Sequence, residues 1–437
     1  MSEPGAAQPK IDRLFVLGLD GVPHSFLARG IASGLLPRLA ALVARGRLAK
    51  IHSEIPAVSS VAWASFATGA DPATHGIFGF VDRRAETGEI FIPTARNRRA
   101  PMIWQRLNDT GRPAVAINVP SSFPPDRILG CVISDFLCPT VERACPRGDI
   151  VLELKEMNYV IDVDAALGRA EDKRPFLAAL HDALAKRRTL ALRLLDREAW
   201  DYFQLHIMET DRINHFLWDA YEDPAHPLHE DFLGFYREVD ALAGEMIERV
   251  GKRARWLVLS DHGFARAQFE VNVNALLRDL GFLRYAPGGD PMSLEPVDPT
   301  SAAFSLLPGR VYINLAGRER RGSVAPHRRE ALMAEVADAL GGVRHPETRE
   351  PVFAAILQSA EVYSGPLLEQ ACDLIALPWE GIDPRAGFRE EGSPFKAASM
   401  PGIHTYDDAF AIDDGGVLRG DEPGIREVGA RVAEVLL

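Results

Sequence analysis

Short apolar runs alternate along the chain with longer stretches of helical periodicity, and this alternation is what most constrains the fold. The strand candidates are residues 14–19, 49–55, 114–118, 202–207, 256–259, 310–314, 373–377 and 409–412. The helix candidates are residues 35–43, 62–68, 103–108, 176–195, 231–250, 273–280, 328–340 and 424–436. The alternation predicts an α/β fold of βαβ units on a mainly parallel sheet. Ligands of such sheets bind beyond the carboxyl ends of the strands.

Two stretches do not follow the alternation. Residues 83–101 are predicted to form a hairpin that turns at Thr87-Gly88, and the Pro- and Gly-rich residues 285–308 are predicted to form a loop. We therefore expect a smaller unit inside the main one. The predicted organisation is listed by residue number: a catalytic core at 12–264 and 400–437, an inserted cap or substrate subdomain at 265–399, and a flexible N-terminus at 1–11.

The composition excludes several classes of protein. Of the 437 residues, 47% are hydrophobic and 25% are charged, as in ordinary globular proteins. A formal net charge of −12 disfavours nucleic acid and anionic membranes as partners. No apolar run approaches a membrane span, and the N-terminus lacks the features of a signal peptide. We expect a cytoplasmic protein that could form a homo-oligomer. Its four cysteines are predicted to be structural thiols, because their spacing matches no zinc or redox motif.

Aspartate and histidine residues follow several of the predicted strands. Asp20 follows the first strand, and Asp211 and His215 come four residues apart after the strand at 202–207. On a helix, that spacing places both side chains on one face, where they can bind one ion. Taken alone, such a pair is more often solvated.

A second group of these residues lies later in the chain. Asp261 and His262 follow the strand at 256–259, and His404 lies in Met-Pro-Gly-Ile-His. Together with the earlier three, they form a set of mixed oxygen and nitrogen ligands that suits zinc or manganese better than calcium. Two ions about 3.5–4 Å apart are the arrangement that catalyses in-line displacement at phosphorus. The conjunction, rather than any one residue, predicts a two-metal site.

Ser59 is the candidate nucleophile. It stands at or just before the start of a predicted helix, where unpaired amides and partial positive charge would stabilise a phosphoryl group. A serine at such a position is more commonly a helix N-cap, and the two roles are compatible.

The chain resembles the type I phosphodiesterase and nucleotide pyrophosphatase branch of the alkaline-phosphatase superfamily. It is most similar there to a bacterial group of predicted phosphohydrolases or phosphomutases. The segments that carry the resemblance span nearly the whole chain: GLDG at 18–21, WASFATGADPATHGIFGF at 63–80, INVPSSFPP at 117–125, TDRINHFLW at 210–218, SDHGF at 260–264, VNVNALLRDLGF at 271–282 and GIHTYDD at 402–408. Their order along the chain is more specific than any one of them.

The resemblance implies an alkaline-phosphatase-like fold of three α/β/α layers with a smaller inserted subdomain. It implies two divalent ions, zinc or alternatively manganese, and assigns their ligands as follows: Asp211, His215 and His404 for one ion, and Asp20, Asp261 and His262 for the other. Ser59 aligns with the family's nucleophile and would contact the second ion. Attack by Ser59 on a small phosphorylated substrate would give a phosphoseryl enzyme, which water would then hydrolyse.

One position departs from the family pattern. Phe80 stands where nucleotide pyrophosphatases of the family carry an asparagine that binds a phosphate oxygen, which argues against nucleotide diesterase activity of that kind. Arg83, Arg96 and Arg212 are candidates for the missing donor, although each is more often a surface residue.

Other functions are compatible with the same residues. A phosphomutase would also pass through a phosphoserine on a two-metal site, but it would retain the phosphoryl group on its substrate. Sulfate or phosphonate hydrolysis is a further alternative, and sulfatases of the superfamily use a modified residue in a different motif. A non-catalytic binding protein would be expected to lack one of the ligands, and none is missing.

Overall fold

The structure is a computed structural model that describes residues 12–290, 292–388 and 391–437. It divides into two compact units. The first contains the described residues up to Ala70 together with Thr94–Phe264 and His404–Leu437, and the second contains Asp71–Pro93 and Ala265–Ile403. The predicted flexible N-terminus at 1–11 lies outside the described residues.

Strands and helices alternate along the described chain. The strands are β1 (Leu14–Leu19), β2 (Arg47–Ile51), β3 (Asp82–Arg83), β4 (Ile90–Phe91), β5 (Ala114–Ile117), β6 (Gly130–Ile133), β7 (Tyr202–Ile207), β8 (Arg255–Leu259), β9 (Gly263–Arg266), β10 (Phe269–Asn272), β11 (Ala303–Leu306), β12 (Arg310–Ile313), β13 (Phe353–Gln358), β14 (Leu374–Pro378), β15 (Ile382–Arg385), β16 (Phe395–Ala397), β17 (Gly402–Thr405) and β18 (Ala409–Asp413). The α-helices are α1 (His24–Ser33), α2 (Pro37–Arg45), α3 (Ser59–Thr68), α4 (Pro72–His75), α5 (Ile103–Asp109), α6 (Gly148–Glu156), α7 (Ala165–Arg169), α8 (Arg174–Arg197), α9 (Glu209–Glu222), α10 (His229–Val250), α11 (Val273–Asp279), α12 (Arg329–Gly341), α13 (Ser359–Val362) and α14 (Ile425–Leu436).

The predicted strands and helices each overlap an element of the structure, but two loop predictions were wrong in detail. The stretch at 285–308 contains the buried strand β11, which pairs antiparallel with β12 and is too short and too close to its turn to be recognised. Within the predicted hairpin at 83–101, the described strand pairing is limited to β3 with β4, and Glu89 bridges Ser293 instead. Its turn does contain Gly88, which has a φ of 76°.

The first unit is built on a seven-stranded sheet in the order β2-β18-β8-β1-β7-β5-β6. The strands from β8 to β6 run parallel, whereas β18 is antiparallel to both β8 and β2. The α/β fold with a mainly parallel central sheet is therefore confirmed. Parallel strands are usually covered on both faces, and β1 accordingly lies at the centre with every residue buried.

Helices cover both faces of this sheet. Leu14 and Val16 of β1 belong to one hydrophobic cluster with residues of α3, α5 and α14. Phe15 points to the opposite face, as alternation along a strand requires, and its ring stacks on Phe203 of β7 at 5.6 Å. Helix α8 packs on β7 and contributes no residue to the first cluster, so it lies on that opposite face. The unit therefore has three layers.

The second unit contains smaller sheets. One has four strands in the order β11-β12-β14-β13, another has three in the order β15-β10-β16, and β3 pairs with β4. Strands β9 and β17 pair with each other and carry the chain out of the first unit and back. No single helix among the described residues is long and apolar enough to cross a membrane, and α1 with α2 reaches that length and hydropathy only as a pair bent by 105°.

Helix α14 approaches α3 closely enough to require a glycine. A Cβ atom built on Gly429 would lie 2.0 Å from the carbonyl oxygen of Phe66. Because that oxygen belongs to the backbone of a buried helix, it cannot move aside as a flexible side chain would.

We predict that Gly429→Ala lowers the free energy of unfolding by about 1–3 kcal/mol, the usual cost of overpacking a core. Gly234→Ala in α10 is the matched control, because a Cβ there meets no atom within 4 Å. That variant should gain up to about 1 kcal/mol from helix propensity. Equilibrium unfolding in urea measures both values, and equal effects would contradict the close approach.

Candidate metal centre and nucleophile

The predicted ligands and Ser59 lie together in the first unit. Asp20 directly follows β1, Asp211 lies in the first turn of α9 after β7, and Asp261 directly follows β8. Strands β8, β1 and β7 are adjacent and parallel, so these three carboxylates meet at the carboxyl edge of the sheet. His404 on β17 completes the arrangement with the histidines that accompany the aspartates.

Asp211, His215 and His404 form the first cluster. His404 Nε2 lies 3.1 Å from Asp211 Oδ1 and 2.9 Å from His215 Nε2, and the latter nitrogen is 3.4 Å from the same carboxylate oxygen. His404 Nδ1 donates to the carbonyl of Ala57 at 2.9 Å, which leaves Nε2 with a lone pair. Ligand atoms around a tetrahedral zinc ion are about 3.3 Å apart. The spacing in this cluster therefore fits a small cation.

Asp20, Asp261 and His262 form the second cluster, and all three are fully buried. His262 Nε2 lies 3.5 Å from Asp20 Oδ1 and 3.4 Å from Asp261 Oδ2. His262 Nδ1 donates to the carbonyl of Gly263, so Nε2 is the nitrogen that can bind an ion. The two clusters adjoin, since the rings of His262 and His404 stack at 3.7 Å.

Asp261 carries the clearest sign that a cation belongs in this cluster. Its Oδ1 accepts from the amide of Gly21 at 3.1 Å, whereas its buried Oδ2 has no hydrogen-bond partner among the described residues. Burial and the nearby charge of Asp20 raise the pKa of Asp261 well above its usual range. A buried carboxylate oxygen without a partner is costly, and a bound cation removes that cost. The residues therefore fit a metal site.

His262 is suited to act as a ligand through its lone pair. Burial, together with the charge of His404, lowers the pKa of His262 to about 3. Because metal binding requires an unprotonated nitrogen, this shift keeps His262 available as a ligand over a wide pH range.

Ser59 is the first residue of α3, and its side chain faces the second cluster. Its Oγ lies 3.1 Å from Asp20 Oδ1 and 3.3 Å from His262 Nε2. The N-cap position belongs to Val58. The alternative role of Ser59 as an N-cap is therefore wrong, because the helix begins one residue earlier than that role requires.

The arginines predicted to bind substrate lie in different places, and their roles stay predictions. Arg212 adjoins the first cluster, where it donates to Asp211 at 2.9 Å and makes two bonds to Asp162. Burial would raise the pKa of Asp211, but His215, His404 and Arg212 outweigh it and hold that pKa well below its usual range. Arg96 is an exposed residue of the first unit.

Arg83 belongs to the second unit, as does Phe80. Its buried guanidinium makes a paired contact with Glu319, with nitrogen to oxygen distances from 2.7 to 3.2 Å. Phe80 is 39% exposed.

Sequence analysis missed two residues that contact Asp20. Trp63 of α3 and His206 of β7 both hydrogen-bond to Asp20 Oδ2. His206 could have been noticed as a polar residue inside an apolar strand, whereas nothing in the sequence singles out Trp63.

An α/β sheet that gathers buried carboxylates and histidines beside a serine defines a hydrolase-like site that can hold metal ions. Residues 14–407 match the sequence model of the type I phosphodiesterase / nucleotide pyrophosphatase family. The chain belongs to this family of the alkaline-phosphatase superfamily and is a hydrolase of that family. No curated protein sequence is significantly similar to it.

Solved structures share the fold over nearly their whole length. Phosphonoacetate hydrolase from Sinorhizobium meliloti, in complex with phosphonoformate, has a TM-score of 0.65 and 18% identity, covering 98% of this chain and 96% of that one. Murine ectonucleotide pyrophosphatase / phosphodiesterase 5 has a TM-score of 0.54 and 14% identity, covering 97% and 95%. The human protein of the same name has a TM-score of 0.53 and 13% identity, covering 97% and 94%.

We predict that zinc raises the free energy of unfolding of the metal-free protein, by about 4 kcal/mol when zinc is at 1,000 times its dissociation constant. In Asp261→Asn the gain should fall sharply, because an amide replaces the carboxylate whose Oδ2 has no hydrogen-bond partner among the described residues. Equilibrium unfolding with and without zinc measures the difference.

Asp240→Asn is the matched control for this experiment. Asp240 is also a buried aspartate, but it accepts hydrogen bonds from the amides of Arg38 and Leu39 in another part of the unit. This variant should lose stability equally with and without zinc. An unchanged response of Asp261→Asn would contradict the second cluster as a metal site.

Proposed function

We propose that the protein is a two-metal-dependent phosphoric-ester hydrolase that acts through a phosphoseryl intermediate on Ser59. The observation that carries this proposal is the position of Ser59 Oγ, within 3.3 Å of both Asp20 and His262 of the second cluster. Asp211, His215 and His404 would hold one ion, and Asp20, Asp261 and His262 the other. Zinc is the expected metal, with manganese as the alternative, because the ligand set mixes carboxylates with imidazoles.

Bound divalent ions supply the positive charge that favours ionisation of the serine hydroxyl and stabilises the phosphoryl oxygens. Ser59 Oγ forms a bond to phosphorus while the bond from phosphorus to the ester oxygen breaks, and the proton that the serine hydroxyl gives up balances the one that the departing alcohol takes up. Helix α3 begins at Ser59, so the partial positive charge of its N-terminus favours the phosphoryl group carried there. Water then attacks the phosphoserine and gives one proton to Ser59 Oγ, and the phosphoryl group leaves as inorganic phosphate from a monoester or as a phosphate monoester from a diester.

The substrate is expected to be a small phosphorylated molecule. A net charge of −12 disfavours nucleic acid and anionic membranes, and the positive charge that attracts an anion would be confined to the metal site. We propose a cytoplasmic location, as the sequence predicts. Monoesters and diesters are both candidates, and the nucleophile and the ion sites serve either one.

The proposal predicts turnover of aryl phosphate mono- or diesters by protein loaded with zinc or manganese. Ser59→Ala should lower kcat by about a thousandfold or more, since the step that forms the intermediate is lost. The variant should still bind two ions per chain. Release of aryl alcohol, followed by absorbance, measures the rate.

Ser60→Ala is the matched control, because the Ser60 hydroxyl is buried beside Ser59 without a hydrogen-bond partner among the described residues. It should retain most of the activity. Undiminished turnover by Ser59→Ala would overturn the assigned mechanism.

A phosphomutase and a phosphonate hydrolase are the alternatives. The first would yield an isomerised phosphate ester without free phosphate. The phosphonate hydrolase is suggested by the likeness in fold to phosphonoacetate hydrolase, and it would release phosphate by cleaving a carbon–phosphorus bond. Assays of alcohol release from mono- and diesters, of isomer formation from sugar phosphates and of phosphate release from phosphonates distinguish the three.

A further inference from the structure

The two carboxylate oxygens of Asp20 have different surroundings. Oδ1 lies beside Ser59 Oγ at 3.1 Å and His262 Nε2 at 3.5 Å. Oδ2 accepts hydrogen bonds from Trp63 Nε1 at 2.9 Å and from His206 Nε2 at 2.7 Å. Asp20 is fully buried, so water does not compete for either oxygen. One oxygen therefore faces the second cluster, while the other is occupied by two N–H donors.

Gly18 of β1 lies next to both donors. His206 lies directly opposite Gly18 in the parallel pairing of β7 with β1. A Cβ on Gly18 would lie 2.5 Å from the Trp63 ring, so only glycine lets the indole pack against β1 at this point. The indole meets the His206 ring edge-on, with centroids 4.9 Å apart. Both donors are thus fixed by packing as well as by their hydrogen bonds.

The tautomer of His206 follows from its surroundings. Its Nδ1 is buried and has no hydrogen-bond partner among the described residues, whereas Nε2 lies against Asp20. The ring proton therefore belongs on Nε2, where it is donated to the carboxylate. Within the part of the chain that the structure describes, this donor and the indole N–H of Trp63 both make their hydrogen bond to Asp20 Oδ2.

We propose that Trp63 and His206 are positioning residues that restrict Asp20 to binding an ion through Oδ1 alone. The proposal rests on the proposed function, in which Asp20 is a ligand of the second ion. Partners of this kind orient ligands and commonly change metal affinity. One oxygen from Asp20, with one ligand atom each from Asp261 and His262, suits a four-coordinate ion such as zinc. Calcium requires six to eight oxygens and often a bidentate carboxylate, so the same restriction selects against it.

A purely structural explanation gives the two donors a smaller role. In that explanation they only compensate the burial of a carboxylate, and their loss would destabilise the protein without changing metal affinity in the folded state. The two explanations are therefore separated by measuring affinity and stability in the same variants.

His206→Leu removes the donor, and His206→Gln keeps an N–H group at similar reach. We expect His206→Leu to weaken one of the two bound zinc ions by about 10- to 100-fold, and His206→Gln to recover most of that loss. The other ion should keep its affinity. Competition with a chromophoric chelator measures both constants, and the visible spectrum of cobalt-loaded protein reports the coordination of the affected ion.

Gln204→Leu is the matched control. Gln204 is a buried polar residue two positions earlier on β7, and its amide oxygen accepts from Tyr202 rather than contacting Asp20. This variant should leave both zinc affinities and the cobalt spectrum unchanged. Trp63→Phe, which loses the other N–H but keeps an aromatic ring, should weaken the same ion as His206→Leu.

Each outcome of these measurements decides between the positioning role and the purely structural explanation. Unchanged zinc affinities in folded His206→Leu, or no recovery in His206→Gln, would overturn the positioning role. If His206→Leu does not fold, Trp63→Phe decides by the same measurement. A wild-type protein that binds neither zinc nor manganese would refute the proposed function itself, whereas wild-type binding of two ions with unaffected variants refutes only this inference.

Discussion

The burial of three carboxylates at one edge of the central sheet is the constraint on which the site depends. Asp20, Asp211 and Asp261 are each 2% exposed or less, and Asp20 and Asp261 both lie within 3.5 Å of one imidazole nitrogen. Concentrating this much negative charge away from water is costly unless cations compensate it. Hydrogen bonds satisfy Asp20 Oδ2 and Asp261 Oδ1, but Asp261 Oδ2 has no described partner. The negative charge that these hydrogen bonds do not compensate faces the two clusters.

The topology of the sheet makes this concentration unavoidable. Strands β8, β1 and β7 come from distant parts of the sequence, yet they lie side by side and parallel at the middle of the sheet. Any residue that directly follows one of them must lie near the residues that follow the others. The apolar strands thus fix the ligands to a common edge, while α9 adds His215 one turn after Asp211. Stability and site geometry therefore depend on the same central strands.

Much of this arrangement could be predicted because the central strands are recognisable as apolar runs in the sequence. The run at 14–19 is apolar throughout, as a strand buried on both faces must be, and its observed bounds agree. Short strands such as β11 carry too few residues for a pattern, and only tertiary pairing identifies them. The sequence analysis also assigned residues 71–93 to the catalytic core unit, because no sequence pattern shows which residues they pair with. Their partners lie in the second unit: the amide of Leu367 donates to Ala73, and Arg320 donates to Ala85, both at 2.7 Å.

The candidate site was likewise predictable only in part. Residues with metal-ligand chemistry stand out by type and by position after strands, so the six candidate ligands could be named before any geometry was known. Residues that act through a ligand have no such signature. Trp63 is indistinguishable by composition from any core tryptophan, and its proposed role depends on a 2.9 Å hydrogen bond to Asp20 that requires glycine at position 18 of β1. Sequence patterns reveal which groups can bind an ion, whereas the three-dimensional packing determines which of their atoms are free to do so.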